Sequence, residues 1–385
     1  DADALAVSVG LFGAAAASAV ADVTEHADVQ AKVGSTAQFM VPAANIDVLA
    51  TGYNEADASA NSFSGGVISL SVMLPSADVG GGVLAQFDGD IVDSAAATLD
   101  VKALGENFAH ASVAMGSISL AGGNGAQANA IISNTADVEA LVGSSATIWT
   151  TGAANVQALL QGQQNAATAN AFSVAGGLFT ASIIGTKAQI GGAVVADMDG
   201  SVTAGSLLVK ADGDNTAIAD VVTAGLGAFT INGSAAFAEI TADADVVASG
   251  GTGSNVIDVD ATVTFTATSN NDAMADADAA SGGLVAVGVS IPTAKVGGGT
   301  RAELNADVTD ASALSVTATS DNNATASSVV ISIGLFAGGG ANAVAEVTEN
   351  ADTDAIIGSG SLITIPGHSV TVSAMSGNDA IAQSA

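Results

Sequence analysis

The chain has 385 residues, of which 38 are acidic and 6 basic, giving a net charge of −32 at pH 7, and it contains no cysteine. So few Lys and Arg cannot neutralise a run of phosphates, which excludes nucleic acid as a partner, and the missing thiols exclude disulfides and thiolate metal sites. Apolar residues make up 49% of the chain but aromatic ones only 3%, so the core must be thin and its backbones closely spaced.

Such a chain repels itself and should respond to salt and cations. Its positive mean hydropathy and regular apolar alternation argue against disorder. Residues 4–21 carry no charge and are long enough to raise the question of a membrane span. Ser8, Gly10, Gly13 and Ser18 interrupt the run, and Val7 and Val9 alternate with small residues. The pattern predicts a strand and no membrane span, and no signal-peptide pattern is present.

The step Ala27-Asp28-Val29 returns as Ala136-Asp137-Val138, Ala244-Asp245-Val246 and Ala351-Asp352-Thr353. The first interval is 109 residues (137 − 28) and the last 107 (352 − 245), a period that marks a repeat architecture. A second landmark is an alternating strand that ends on Asn. Residues 46–50 lead to Asn54, 99–103 to Asn107, 156–165 end on Asn165, and 207–211 lead to Asn215. The series continues with Asn271, Asn322 and Asn378, at spacings between 50 (215 − 165) and 58 (165 − 107) residues. Long units (1–54, 108–165, 216–271, 323–378) alternate with short ones (55–107, 166–215, 272–322), and residues 379–385 begin another. The short units carry two glycine corners, Gly65-Gly66 and Gly80-Gly81-Gly82 in the first.

Ile68, Leu70, Val72 and Leu74 alternate with Ser69, Ser71 and Met73, which is the period of a strand. Helix caps and helical stripes are missing. Pro42, Pro75, Pro292 and Pro366 are expected at strand ends or in loops, where the absent N–H does least harm. The predicted fold is all-β: a single continuous parallel β-solenoid over residues 1–385, each strand pairing with its copy one turn along. The alternative is a string of β-sandwich domains, one per pair of units. Spacing leaves open whether one unit makes one broad turn or two narrow ones. The sequence starts and stops inside a repeat, as a stretch of a longer array would.

Val-x-Val-Gly strands such as residues 6–12, an Ala-x-Val-Thr strand at 21–24 and a closing Val-x-Ala strand at 369–374 recur through the chain. This pattern resembles the repeat regions of very large bacterial surface proteins, the filamentous adhesins of the leukotoxin type. The resemblance implies a secreted, elongated stalk or filament at a cell surface that contacts cells, extracellular matrix or its own neighbouring repeats. It brings no site residues with it.

The candidate site is the recurring aspartate. The short units echo the step at Gly89-Asp90-Ile91 and Ala306-Asp307-Val308, with Gly200-Ser201-Val202 between them. If Asp28, Asp90, Asp137, Asp245, Asp307 and Asp352 stack, like charges at ~5 to 10 Å repel by about 0.4 to 0.8 kcal/mol per pair. Calcium would relieve that repulsion, since it takes six to eight oxygen ligands, and Glu25, Asp88, Asp197, Asp199 and Asp243 lie nearby in sequence. The competing reading is a solvated ladder of turn aspartates. Gly122-Gly123-Asn124-Gly125 begins like a calcium β-roll motif but lacks its Asp and does not repeat.

No enzyme is expected. His26, His110 and His368 fall in unlike settings without zinc spacing, and no nucleophile elbow is evident. Asn54 and its equivalents should form an inward ladder. Thr262, Thr264 and Thr266 suggest an ice-binding face, but in one unit only. Phe39, Met40, Trp149, Ile257 and Ile365 sit in the surplus of the long units, where they serve either lateral contact or local packing. The reading is a non-enzymatic, extracellular structural repeat protein. Its rival is a calcium-dependent adhesin segment, with ice or polysaccharide binding behind it.

Overall fold

The computed structural model describes residues 1–160, 164–251, 255–365 and 367–385. Pro366 and residues 161–163 of the expected closing strand 156–165 lie outside them. Among the described residues there is no helix, and strand pairing is parallel throughout. Asn54 pairs with Asn107, Asn165 with Asn215, Asn215 with Asn271, Asn271 with Asn322 and Asn322 with Asn378. Each unit is therefore one broad turn of a parallel β-solenoid. Sandwich domains would pair strands within a unit; here every strand pairs with the adjacent turns.

One turn is a long, flattened loop. Its outgoing leg is the first two-thirds of Asn45–Met73. The chain reverses at a tip near Gly65-Gly66 and returns through Ser76–Val79, Val83–Phe87 and Asp90–Ile91. A base at residues 92–97 then feeds Thr98–Ile132, which carries the outgoing leg, the tip and the start of the return of the next turn. Strand periodicity gives each leg an inner and an outer face. Even-numbered residues point inward on the outgoing leg and odd-numbered ones on the return, and the change of parity occurs at the tip. Gly66 makes that change with φ +152°, and a Cβ there would collide with the carbonyl oxygen of Gly10 on the preceding turn. Gly177 and Gly283 are held to glycine at the same corner by the same kind of collision.

The interior has two compartments. Toward the base, Ile46, Val48 and Ala50 face Val83, Ala85, Phe87 and Ile91, and the copies of these residues on other turns extend one continuous apolar cluster. Toward the tip, Ala56, Ala58 and Ala60 face Met73, Ala77 and Val79, a thinner layer built largely from methyl groups. Beyond it the interior turns polar: Ser71 Oγ donates to Ser64 Oγ across the legs at 2.9 Å. Thr180 meets Thr230 at 3.2 Å and Asn232 meets Ser281 at 3.1 Å in the same zone of other turns.

The surplus of the long units packs rather than projects. Ile257 and Ile365 are buried in the basal compartment, and the Phe39 ring lies 5.6 Å from that of Phe87. Trp149 and Met40 stay exposed. Pro42 and Pro75 lie between strands as expected, but Pro292 does not: it sits within Thr262–Val296, opposite Ala236. A ladder flanked by long regular strands tolerates the loss of one N–H there.

Candidate functional site

The seven asparagines form one internal column. Each side-chain amide donates to the next side-chain oxygen, Asn54 to Asn107 at 2.9 Å, Asn107 to Asn165 at 3.1 Å and Asn165 to Asn215 at 3.1 Å. Asn215 to Asn271, Asn271 to Asn322 and Asn322 to Asn378 follow, each at 2.9 Å. The second amide hydrogen of Asn54 reaches Gly81 O at 2.9 Å, so the column closes off the glycine kink between the two compartments. A primary amide suits this position because it both donates and accepts along the axis. Buried amides left unpaired would be costly, so the column also fixes the register of every turn.

The recurring aspartates do not form a single stack. Asp28, Asp137, Asp245 and Asp352 immediately precede Val29–Val33, Val138–Val142, Val246–Gly250 and Thr353–Ile357, and they alternate in their column with Gly82, Ala193 and Gly299. Asp28 Oδ1 accepts the backbone N–H of Gly82 at 3.0 Å, Asp137 that of Ala193 at 2.8 Å and Asp245 that of Gly299 at 2.8 Å. Each carboxylate thus caps a glycine or alanine on the next turn. Asp90 and Asp307 belong to a different column, across the strand Val83–Phe87 and its copies, where they accept from Thr147 N at 2.9 Å and from Leu362 N. This corrects the sequence expectation of a row running through every unit. The resemblance of the local steps is real, but their positions around the turn differ.

Column members two rungs apart are separated by ~9.6 Å, whereas two ligands of one calcium ion lie within about 5 Å of each other. Among the described residues no three of His, Asp and Glu converge where a metal ion could be held. An acidic groove of about 350 Å³ is lined by Asp245, Glu303, Asp352 and Asp354, with Arg301 among them and paired to Glu303. Asp197 and Asp199 lie on the same side of the turn. Burial, with help from Asp199, pushes the Asp197 carboxyl up to about 6 against the hydrogen bond from Ser249. Burial also raises Asp137 and Asp245, partly offset by the N–H groups they cap.

The histidines stay apart: His26 lies 3.8 Å from Glu25, His110 3.9 Å from Asp57, and His368 is exposed near the base. Thr264 and Thr266 point outward, but their neighbours one turn back are Leu208 and Lys210, so no flat threonine face forms.

A different surface stands out, and the local sequence reading did not find it. Seven windows of sequence without a single charged residue, 4–21, 58–77, 111–136, 166–186, 221–238, 279–294 and 324–345, fall on successive turns. They stack to form the tip arm, while all 44 charged residues (38 + 6) lie outside them. On the outside of this arm stand large apolar side chains, including Phe63, Ile68, Leu120, Leu178, Phe179, Phe229 and Leu284, all exposed. The Phe179 and Phe229 rings stack at 4.9 Å along it. The uncharged run 4–21 that raised the membrane question is one turn of this band. Aligning the charge-free windows by unit would have revealed it. No helix among the described residues is long and apolar enough to cross a membrane.

No family model, curated protein or solved structure matches the chain.

Proposed function

We propose that the chain is a stretch of a non-enzymatic, extracellular structural protein, serving as a stalk or filament at a bacterial cell surface. The observation that carries this reading is the continuity of the solenoid. Seven asparagines stay in one hydrogen-bonded column, and turns of 50 to 58 residues stack without an inserted domain. A repeat that only stacks adds length and stiffness, which is what a stalk requires. The acidic exterior suits a saline medium, where screening relieves self-repulsion. Imaging of the purified protein tests the mechanical half of the reading: straight rods support it, and irregular globules contradict it. Antibody labelling of intact producing cells tests the location, and signal only after lysis would refute a surface role.

The rival reading is a calcium-dependent adhesive segment. What favours it is the groove of Asp245, Glu303, Asp352 and Asp354, whose charge a single Arg301 does not balance. A rise in melting temperature on adding calcium, reversed by a chelator, would support it; an unchanged melt would remove it.

A further inference from the structure

We infer that the apolar tip edge is a pairing surface for a second copy of this chain, docked antiparallel so that long turns face short ones. The inference extends the structural reading above without depending on it.

One column of paired residues runs along the outgoing side of the tip. Val9 pairs with Gly65, Gly65 with Ile118, Ile118 with Gly176, Gly176 with Leu226, Leu226 with Gly282 and Gly282 with Ile333. Every long turn places a large apolar side chain here and every short turn a glycine. The knobs project: Ile118 is 66% exposed and Leu226 70%. The glycines are not demanded by the fold. A Cβ on Gly65 would meet nothing nearer than 3.6 Å and one on Gly176 nothing nearer than 3.9 Å, with ordinary φ at both. At Gly282 the only close atom is the mobile end of Leu226. The adjacent Gly66, Gly177 and Gly283, by contrast, would each drive a Cβ into a backbone carbonyl. Glycine inside a strand weakens it, and where the fold itself does not need one it marks the close approach of something else.

The spacing identifies that object. Knobs and gaps alternate every rung and repeat every two rungs, ~9.6 Å along the axis. A second copy presents the same period. A two-fold axis perpendicular both to the solenoid axis and to its flat faces sets this column against itself in reverse order, tip to tip. With the axis between two turns, every knob meets a gap and both copies make the same contacts, as a closed isologous interface requires.

The area and the charge agree. Six facing rungs at ~4.8 Å, about eight residues wide at ~3.3 Å, cover roughly 750 Å² per partner, close to the ~800 Å² of a standard interface. The contact is free of charge, because the charge-free windows stack here, and the two acidic bodies are held at the far sides of the pair. A lipid surface fits less well: apart from Lys187 and Lys295, the charged residues bordering the edge are mostly carboxylates such as Asp57, Asp78, Asp220 and Asp278, whereas membrane-seated surfaces carry Trp, Tyr, Lys or Arg at that level.

The test is sedimentation and light scattering of the full chain over a range of concentrations and salt, beside vesicles of neutral and of anionic lipid. The expected result is a dimer that tightens with salt as the repulsion between like-charged bodies is screened. Ile118→Glu with Leu226→Glu should raise its dissociation constant by roughly 100-fold or more. Gly176→Phe, at a position where a Cβ would meet nothing nearer than 3.9 Å, should weaken the dimer while leaving circular dichroism and melting of the dilute protein unchanged. A chain that is monomeric at every concentration and salt, a dimer indifferent to all three substitutions, or sedimentation with vesicles in place of pairing would each overturn the proposal. A monomer that images as a straight rod would overturn the pairing alone and leave the stalk reading standing.

Discussion

The two arms of each turn share one backbone geometry and use it in opposite senses. In the basal arm the inward positions are Val48, Val101, Val209 and Phe265, while the outward ones include Asp47, Asp100, Lys102 and Lys210. In the tip arm the inward positions are Ala58, Ala111, Ser64 and Ser173, and the outward ones are Phe63, Ile118, Leu178 and Phe229. Alternation by itself therefore does not say which face is the core. Where the legs lie far enough apart for branched side chains, burial is by volume. Where methyl and hydroxyl groups set the spacing, the interior takes few large side chains, Met73 and Ile184 among them, and the rest stand outside. The first arm buries the bulkier side chains, and the second carries the exposed apolar surface proposed to pair.

This contrast is broken most severely from inside the basal arm. Phe265→Ala removes a fully buried ring from the apolar compartment, and a loss of about 3 to 5 kcal/mol in denaturant unfolding is expected. Leu178→Ser, an exposed apolar residue of the tip arm, should change unfolding of the dilute protein by less than about 0.5 kcal/mol. Equal losses would mean the arms do not differ as described. Asn215→Ala strikes the boundary between them. It leaves the amide of Asn165 and the oxygen of Asn271 without their partners, at about 1 to 3 kcal/mol for each group. Hydrogen exchange should show the loosening centred on the turns next to Asn215.

The third effect is smaller and runs with pH. Burial raises the carboxyl of Asp197 to about 6 and also raises Asp137, Asp199 and Asp245 on the basal return leg, and Asp78, Asp220 and Asp272 nearer the tip. The folded chain then binds protons more tightly than the unfolded one, whose carboxyls titrate near ~4. The resulting stability is complete below that range and is lost as pH rises through about 6. The melting temperature should therefore be a few degrees higher at pH 5 than at pH 7.5. A melt that falls on acidification would show that the carboxylates are stabilised as anions instead.

Much of this was legible in the sequence. The period, the alternation of long and short units, the glycine corners and the asparagine column all follow from residues that must recur because identical positions stack. The size of the turn was not, because repeat length counts residues along the chain and is silent about where it bends. Asp90 misled because Gly89-Asp90-Ile91 copies a local motif, whereas a column is defined by register around the turn. Pro292 misled because a rule about single strands is weaker inside a ladder of seven. The tip edge stayed hidden for a related reason. Residues 4–21 read alone raise the question of a membrane span and resolve as a strand, and only the stack of seven such windows shows that their large side chains share one outer surface.

The inverted arm can be tested directly in a chain that has no cysteine of its own. Single thiols at Leu178→Cys on the tip edge and Thr203→Cys near the base, both in the same turn, would be labelled with a maleimide at rising protein concentration. The account predicts that the tip thiol becomes protected as concentration rises while the basal thiol reacts at a constant rate. Equal, concentration-independent labelling of the two would contradict it.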